Sequence, residues 1–445
     1  MERELPKADI VIGVCTKNCE DTIGNVLQKV DAGLSRFYRG SKSLIIVSDL
    51  SNDATKERVE QTITKSPVFF ATQEGGPGKG NGIRTIFKLA EMSGARMVAL
   101  VDGDLTSIDT VWIKALVEPL EMGFDLSVPR YERHKYDSVI TNHIIYPFVT
   151  SMYGTEIRQP IGGEFGLSMS FVRKLLKHPG FPEGFGIDIF ITTTALAEDM
   201  RVAETALGVK SHTSTKEYKD FEKLLIPMFN QVVSTLFDLT LYNKEKIRHV
   251  RGVKDVRKFG HIRGGSLGES VVDRRELYRM FQRDYRRLMN SEILSESTRK
   301  QLNDVIEGSR GKPVSAGTIL HPLLDLLKYI PARLMARQDK PVRSDILSEE
   351  SKDRIRKAVY GERGQIIDVK TWVNAVFDAF RYYKKYQKDP RKRQEVIDVL
   401  RMVWLARFSS FVRQTRFMDT GDAECVIRGQ VDVFNEKKAE LLRRI

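Results

Sequence analysis

Short apolar runs alternate with helical periodicity over the first hundred residues. Two β-rich runs, 8–16 and 43–51, end in polar side chains, and two further runs follow at 67–71 and 96–102. Between these runs, apolar residues recur at the spacing of amphipathic helices. The alternation predicts an α/β fold with a parallel sheet, in which the carboxyl ends of the strands share one edge.

Strand signals stop in the second half of the chain, and helical periodicity replaces them. Seven long helical patterns cover 216–248, 271–289, 296–307, 317–336, 370–387, 393–415 and 420–443. We therefore predict an α/β domain over 1–215 and an all-helical domain over 216–445. The helical domain is also where we expect any homo-oligomer to form.

Composition narrows the classes of ligand. A formal net charge of +13, from 72 basic and 59 acidic residues, favours anionic ligands. The basic residues are spread over many helices without a groove-reading motif, so we expect no nucleic-acid partner. The most apolar long stretch, 224–242, is interrupted by polar residues, and residues 1–7 are rich in charge. We therefore expect no membrane span and no signal peptide, with the cytoplasm as the location.

A pair of carboxylates closes the fourth apolar run. The sequence LVDGDLTSID at 100–109 places Asp102 and Asp104 on either side of one glycine. Because residues two apart in a strand point the same way, both acids can face one divalent cation. Acids after a strand are more often solvated or cap the next helix, so this motif alone does not establish a metal site.

Three glycine-containing segments and one histidine are further candidates for ligand binding or catalysis. GGPGKGNG (75–82) stands between a strand and a helix, where backbone amides and Lys79 can meet an anion, although a plain tight turn explains it equally well. QPIGGEFGLS (159–168) carries Glu164, and GFGIDIFI (184–191) carries Asp188, which can also be a helix cap. His212 follows a strand-like run. A lone histidine is more often structural than a ligand.

Taken in order, these segments resemble a known family. PGKG, DGDLTS, QPIGGE, GID and GVKSH match in register the motifs of the mannosylglycerate synthase family, glycosyltransferase family 78, and more loosely those of glucosyl-3-phosphoglycerate synthases. The resemblance implies a GT-A-type nucleotide-sugar-binding sheet, which is Rossmann-like, and a retaining, metal-dependent transfer reaction. The firm resemblance covers about residues 8–245.

The resemblance also implies roles for individual residues. It assigns Mg²⁺ or Mn²⁺ to Asp104, His212 and Asp102, and catalysis to Asp188, Asp102 and Asp104. The implied donor-binding residues are Lys17, Asp53, Lys79, Gly80, Asp102, Gly163 and Glu164. The implied acceptor-binding residues are Arg130, Asp137, Thr141 and Asp188.

The function implied is hexosyl transfer from a nucleoside-diphosphate sugar to a small carboxylate acceptor. The donor would be GDP-mannose or UDP-glucose, and the acceptor glycerate, 3-phosphoglycerate or a similar hydroxy acid, giving a compatible solute. Two alternatives stay open from the sequence. One is a sugar-nucleotide pyrophosphorylase, which usually carries its glycine loop directly after the first strand. The other is a non-catalytic nucleotide-binding protein with a transferase-like domain.

Overall fold

The computed structural model describes residues 4–211, 225–261, 274–310 and 367–443. The chain divides into two compact units, Met1–Glu269 with Phe434–Ile445, and Ser270–Val433. The domain boundary predicted at residue 215 lies outside the described residues and stays a prediction.

The first unit is an α/β structure. Its strands are β1 (Ile10–Thr16), β2 (Ser43–Asp49), β3 (Val68–Thr72), β4 (Met97–Asp102), β5 (Leu126–Glu132), β6 (Thr155–Glu156), β7 (Phe165–Ser168), β8 (Val202–Val209), β9 (Lys254–Asp255) and β10 (Arg257–Phe259). Its helices are α1 (Ile23–Phe37), α2 (Thr55–Gln61), α3 (Lys79–Ser93), α4 (Val111–Glu121), a π-helix (Thr141–Ile145), α5 (Tyr146–Tyr153), α6 (Met169–Lys177), α7 (Ile187–Ala197), α8 (Leu225–Tyr242) and α9 (Lys244–Arg248).

Eight strands form one mixed sheet in the order β10-β8-β5-β7-β4-β1-β2-β3. All neighbouring pairs are parallel except those of β7, which runs antiparallel to β4 and β5. The chain winds outward from β1 to β3 and then returns to the other side of β1 as β4. Such a reversal opens a crevice at the carboxyl ends of the two central strands, where sheets of this kind bind ligands.

The apolar patterns explain why these elements form and how closely they pack. The β1 residues Ile10, Val11, Ile12 and Val14 are all fully buried, as expected for a central parallel strand covered on both faces. A Cβ built on Gly13 of β1 would lie 2.3 Å from Ile86 Cγ2 of α3, so only glycine lets this helix approach the strand. The predicted alternation of strands and helices up to β4 is confirmed.

The second unit is helical in its described parts. Its helices are α10 (Arg274–Met289), α11 (Glu296–Arg310), α12 (Val369–Lys385), α13 (Pro390–Thr415) and α14 (Thr420–Arg428), and α15 (Gln430–Leu442) leads back to the first unit. Asp368, Asp389 and Asp419 cap the amino ends of α12, α13 and α14 by accepting backbone N–H bonds. The predicted helical end is thus confirmed, whereas the helix predicted at 317–336 lies outside the described residues. None of the described helices is both long and apolar enough to cross a membrane.

The last residues of the chain belong to the core of the α/β unit. Phe434 is fully buried, with its ring 6.1 Å from that of Phe148 in α5, and Phe148 lies 6.0 Å from Phe237 in α8. Lys438 donates to the carbonyl of Ser151 at 2.8 Å, near the carboxyl end of α5. A cation there satisfies an end carbonyl and interacts favourably with the helix dipole.

A substitution of Phe434 therefore tests whether this carboxyl-terminal segment stabilises the α/β unit. We expect Phe434→Ala to lower the free energy of unfolding by roughly 3–5 kcal/mol, because it removes a fully buried aromatic ring. Phe417, which is 65% exposed, offers the matched control, and Phe417→Ala should change stability little. Urea denaturation followed by circular dichroism measures both. Equal shifts in the two variants would contradict this packing role.

Candidate active site

Asp102 stands at the crevice between β1 and β4. It pairs in register with Cys15, one residue before the end of β1. A Cβ on the following Gly103 would lie 2.7 Å from Thr16 Cγ2 and 2.9 Å from the Cys15 carbonyl oxygen. The glycine of the Asp-Gly-Asp motif thus lets the chain turn tightly against β1 and leaves the Asp102 carboxylate at the sheet edge.

Two lysines bind the Asp102 carboxylate, one on each oxygen. Lys79 Nζ lies 2.9 Å from Oδ1, and Lys210 Nζ lies 3.0 Å from Oδ2. Burial alone raises the pKa of Asp102, but the two ammonium groups outweigh it and hold this pKa well below its usual range. For Lys79, burial lowers the pKa, but Asp102 and Asp188 raise it well above normal. The carboxylate and Lys79 are therefore both charged.

The segment QPIGGE builds the wall behind Asp102. The Gln159 side chain accepts from the Tyr131 N–H at 3.1 Å and donates to the Tyr131 carbonyl at 2.9 Å, so it pairs with β5 as a backbone segment would. Gly163 has φ +101°, and a Cβ there would lie 2.7 Å from Asp102 Oδ2. The turn therefore needs glycine both for its backbone conformation and for contact with the carboxylate.

Glu164 is fully buried beneath this turn. It receives hydrogen bonds from Lys210 Nζ at 2.7 and 2.8 Å and one from the Tyr131 hydroxyl. Burial raises the pKa of Glu164 to about 7, although Lys210 opposes the rise. In this arrangement Glu164 contacts protein groups, and its predicted donor contact stays a prediction.

The glycines of the PGKG turn pack against the protein backbone. A Cβ on Gly80 would lie 2.0 Å from the Pro182 carbonyl oxygen, and one on Gly78 would lie 2.2 Å from the Glu183 carbonyl oxygen. Asn81 N–H also donates to the Glu183 carbonyl at 3.0 Å. These glycines therefore join the start of α3 to the loop before Asp188, a role that the sequence pattern does not distinguish from anion binding. A donor contact by Gly80 stays a prediction.

Asp188 lies in the first turn of α7 and faces Lys79. Its Oδ1 is 3.4 Å from Lys79 Nζ, and 13% of its side chain is exposed. Burial raises the pKa of Asp188, although Lys79 counteracts the effect. Oδ1 has no hydrogen-bond donor among the described residues. A buried acceptor without a donor is costly, so this oxygen can take a hydrogen bond from a ligand hydroxyl.

The loop that carries Asp104 also holds the chain just before His212. The Ser211 N–H donates to Ser107 Oγ at 2.7 Å, and the Thr106 N–H donates to the Ser211 carbonyl at 2.9 Å. His212 itself lies outside the described residues. Within the part of the chain that the structure describes, no three His, Cys, Asp or Glu side chains are placed to hold a metal ion. The predicted metal set thus stays a prediction.

Two predicted donor-side residues lie in the loops after β1 and β2. Lys17 is exposed directly after β1. Asp53 accepts hydrogen bonds from the backbone and hydroxyl of Thr55 and from the Glu20 N–H. Burial favours the neutral acid, but these hydrogen bonds lower the pKa of Asp53. The Asp53 carboxylate thus ties the two loops together, and contacts of either residue to a nucleotide stay a prediction.

The predicted acceptor residues follow the carboxyl end of β5. The register of β5 against β8 shifts between Arg130 and Tyr131, a bulge of the kind often found beside active sites. Asp137 lies in the next loop, and the buried Thr141 begins the π-helix. No described hydrogen bond or ion pair joins these side chains to one another. Their meeting at one acceptor therefore stays a prediction.

Sequence reasoning missed two members of the charged network, Lys210 and Tyr131, and a buried arginine that directly precedes the QPIGGE segment. Lys210 and Tyr131 complete the network around Asp102. The buried Arg158 donates through its N–H to Glu204 at 2.6 Å and through its guanidinium to Asn142 at 2.8 Å. Lys210 lies inside the GVKSH motif, so its position was a usable signal. Tyr131 and Arg158 follow no local pattern that marks them.

Comparisons with known proteins give one family match and a group of similar solved structures. Residues 22–234 match the family model described as mannosylglycerate synthase, GT domain. No curated protein gives a significant match. The chain is also similar to solved structures of glucosyl-3-phosphoglycerate synthase from Mycobacterium tuberculosis.

Three of these structures illustrate the likeness. The structure with Mn²⁺, UDP and glucosyl-3-phosphoglycerate is 21% identical, covers 52% of this chain and 80% of its own, and has a TM-score of 0.40. Two further structures contain Mn²⁺, UDP-glucose and phosphoglyceric acid, or Mg²⁺ and UDP. Each is 21% identical to this chain, covers 52% of this chain and 79% of its own, and has a TM-score of 0.41.

The family match covers the segment that holds β2 to β8 and every described residue of the charged network. Its position agrees with the predicted GT-A-type sheet. Over residues 22–234, this chain is therefore similar to the glycosyltransferase domain of the mannosylglycerate synthase family.

Proposed function

We propose that this protein is a retaining, metal-dependent hexosyltransferase. It transfers glucose or mannose from UDP-glucose or GDP-mannose to glycerate, 3-phosphoglycerate or a related small hydroxy acid. The observation that carries the proposal is the position of Asp102, Lys79 and Asp188 around the crevice between β1 and β4. Lys79 offers a cation for phosphate, and the two aspartates offer carboxylates for a metal ion and for hydroxyl groups. They lie at the sheet edge where folds of this kind bind nucleotides.

A divalent metal ion, Mg²⁺ or Mn²⁺, fits the groups on this edge. Asp104 and His212 would hold it, with Asp102 as a further ligand or a contact to metal-bound water. The bonds between Thr106, Ser107 and Ser211 support this set, because they fix the residue next to His212 on the loop of Asp104. When bound, the ion would supply Lewis-acid neutralisation of the departing diphosphate.

Lys79 acts on the donor. It lies at the amino end of α3, where the helix dipole also favours phosphate. Its side chain is 18% exposed, so it can turn from the carboxylates to a diphosphate over a short distance. Lys79 thereby exchanges one set of anionic partners for another.

Asp188 orients the reacting groups. Its unsatisfied Oδ1 is available to a donor-sugar or acceptor hydroxyl, and its position beside Lys79 places it on the donor side. Retention excludes a simple role as the base of an inverting displacement. We therefore assign Asp188 to positioning and electrostatic support.

The acceptor is a small carboxylate bound by Arg130, with Asp137 and Thr141 binding its hydroxyls. Arg130 is half-buried at the β5 bulge, where a planar guanidinium can hold a carboxylate by two parallel bonds. A pyrophosphorylase is disfavoured because the glycine-rich turn follows β3 and not β1. The direct test is incubation with each donor, Mn²⁺ and a panel of hydroxy acids, with mass detection of products. Absence of any glycosylated acid would refute the proposal.

Metal dependence is the first consequence. We expect Asp104→Asn to abolish transfer and to weaken Mn²⁺ binding while the circular dichroism spectrum is kept, because it removes a charged oxygen ligand. Asp109→Asn is the control, since the exposed Asp109 accepts a hydrogen bond from the Val111 N–H at the start of α4. Full transfer by Asp104→Asn in the presence of a chelator would rule out the metal assignment.

Lys79 should serve the donor alone. Lys79→Ala is expected to weaken donor binding by about 1.5–3 kcal/mol, the range for a hydrogen bond to a charged group. Acceptor affinity should be unchanged. Lys88→Ala on the same helix removes an exposed lysine paired with Glu74 and is the control. Isothermal calorimetry with UDP-glucose and GDP-mannose measures the difference, and unaltered donor affinity for Lys79→Ala would count against this role.

Arg130 should determine acceptor binding. Even Arg130→Lys should raise the acceptor KM strongly, because an ammonium group cannot reproduce a bidentate contact. Donor hydrolysis without acceptor should survive, since the diphosphate contacts lie elsewhere. Arg96→Lys, at an exposed position before β4, is the control. Initial-rate kinetics with glycerate and with 3-phosphoglycerate measure the acceptor KM. The assignment fails if Arg130→Lys and Arg96→Lys have the same KM for each acceptor.

A further inference from the structure

Lys210 is the most tightly held cation of the charged network. Only 5% of its side chain is exposed, and its ammonium group contacts two separate parts of the chain, Asp102 and the QPIGGE segment. It lies 3.0 Å from Asp102 Oδ2, 3.0 Å from the Gly162 carbonyl oxygen and 2.7 Å from the nearer oxygen of Glu164. An ammonium group has three hydrogens to donate, and here each has an acceptor in place.

The two lysines on Asp102 are therefore not equivalent. Lys79 is 18% exposed, and its second partner, Asp188, is more distant at 3.4 Å. Lys210 is anchored to the QPIGGE turn from within the protein. If Lys79 turns toward a diphosphate, Asp102 retains Lys210 as its remaining described cation.

We propose that Lys210 is a positioning residue, which holds the Asp102 carboxylate in place and neutralised while Lys79 binds the donor phosphates. This inference rests on the proposed function and deepens it. Lys210 acts through Asp102 and touches neither substrate. In this proposal, the more exposed Lys79 contributes to donor affinity, and the buried Lys210 fixes the geometry of the Asp-x-Asp motif.

The turn behind Asp102 is built around this contact. A Cβ on Gly163 would lie 2.7 Å from Asp102 Oδ2 and 2.8 Å from Lys210 Nζ, so any side chain there would enter the space between the two groups. The Lys210 backbone is also fixed by its neighbour, since Ser211 is bonded to the loop of Asp104. The Asp102–Lys210 contact is thus constrained from both chain segments.

A simpler role for Lys210 would be to neutralise the buried Glu164. Among the described residues, Lys210 is the ion-pair partner of Glu164. A buried carboxylate that loses such a partner destabilises a protein strongly, so Lys210→Met alone cannot separate the two roles. Glu164→Gln removes the charge that needs neutralising and keeps the size of the side chain. The informative comparison is therefore between Glu164→Gln and the double variant Lys210→Met with Glu164→Gln.

We expect the double variant to be more stable in thermal denaturation than Lys210→Met, because it leaves Glu164 uncharged. Relative to Glu164→Gln, it should lose roughly 10- to 100-fold in both kcat and calorimetric Mn²⁺ affinity in the presence of UDP, the range found for outer-shell partners of metal ligands. Donor KM should change less than in Lys79→Ala. Equal kcat and equal Mn²⁺ affinity in the double variant and Glu164→Gln would overturn the inference.

The variant Lys210→Arg tests the positioning role while keeping the positive charge. A guanidinium still neutralises Glu164 but cannot place one nitrogen on all three acceptors, so we expect the fold to be retained and kcat and Mn²⁺ affinity to fall. Unchanged values for both would overturn the positioning role. Failure of the unaltered protein to transfer sugar would count against the proposed function only, because the Mn²⁺ and stability comparisons still judge Lys210.

Discussion

The α/β unit depends on keeping one partly buried carboxylate charged at the central crevice of the sheet. Asp102 must be ionised to interact with cations, yet its position at the central crevice penalises ionisation. The chain offsets this penalty with Lys79, which precedes Asp102 in the sequence, and Lys210, which follows it. Each lysine in turn needs further acceptors, which accounts for the nearby Asp188 and Glu164. The network thus forms around a single carboxylate that is only partly accessible to water.

Glycines set how closely the parts of this network can approach. Gly103 brings the end of β4 against β1, Gly80 brings α3 against the loop before Asp188, and Gly163 clears the space between Asp102 and Lys210. In each case a methyl group would meet backbone or charged atoms at less than 3 Å. The motifs that look like phosphate loops in the sequence are thus also packing motifs within the protein.

Local periodicity in the sequence was sufficient to predict β1 to β4 and the helices between them, because each of these elements carries its own apolar pattern. It also placed Asp102 and Lys79 at the same sheet edge, since both follow strands in a parallel wind. It did not reveal the antiparallel β7, whose four residues are too few to show a pattern. Nor did it reveal that Lys210 reaches Asp102 across 108 positions and Glu164 across 46, because such pairs arise only from tertiary packing.

The return of Phe434 and Lys438 to the α/β unit makes the helical unit an insertion and not an appended tail. Its two ends enter and leave the same compact body, so the chain must complete the helices before that body obtains its last core residues. During synthesis, the glycosyltransferase domain therefore finishes its packing only when the carboxyl end has emerged. A premature stop anywhere within the helices of this unit would also deprive α5 of its contact with the Phe434 ring and of the Lys438 ammonium group near its carboxyl end.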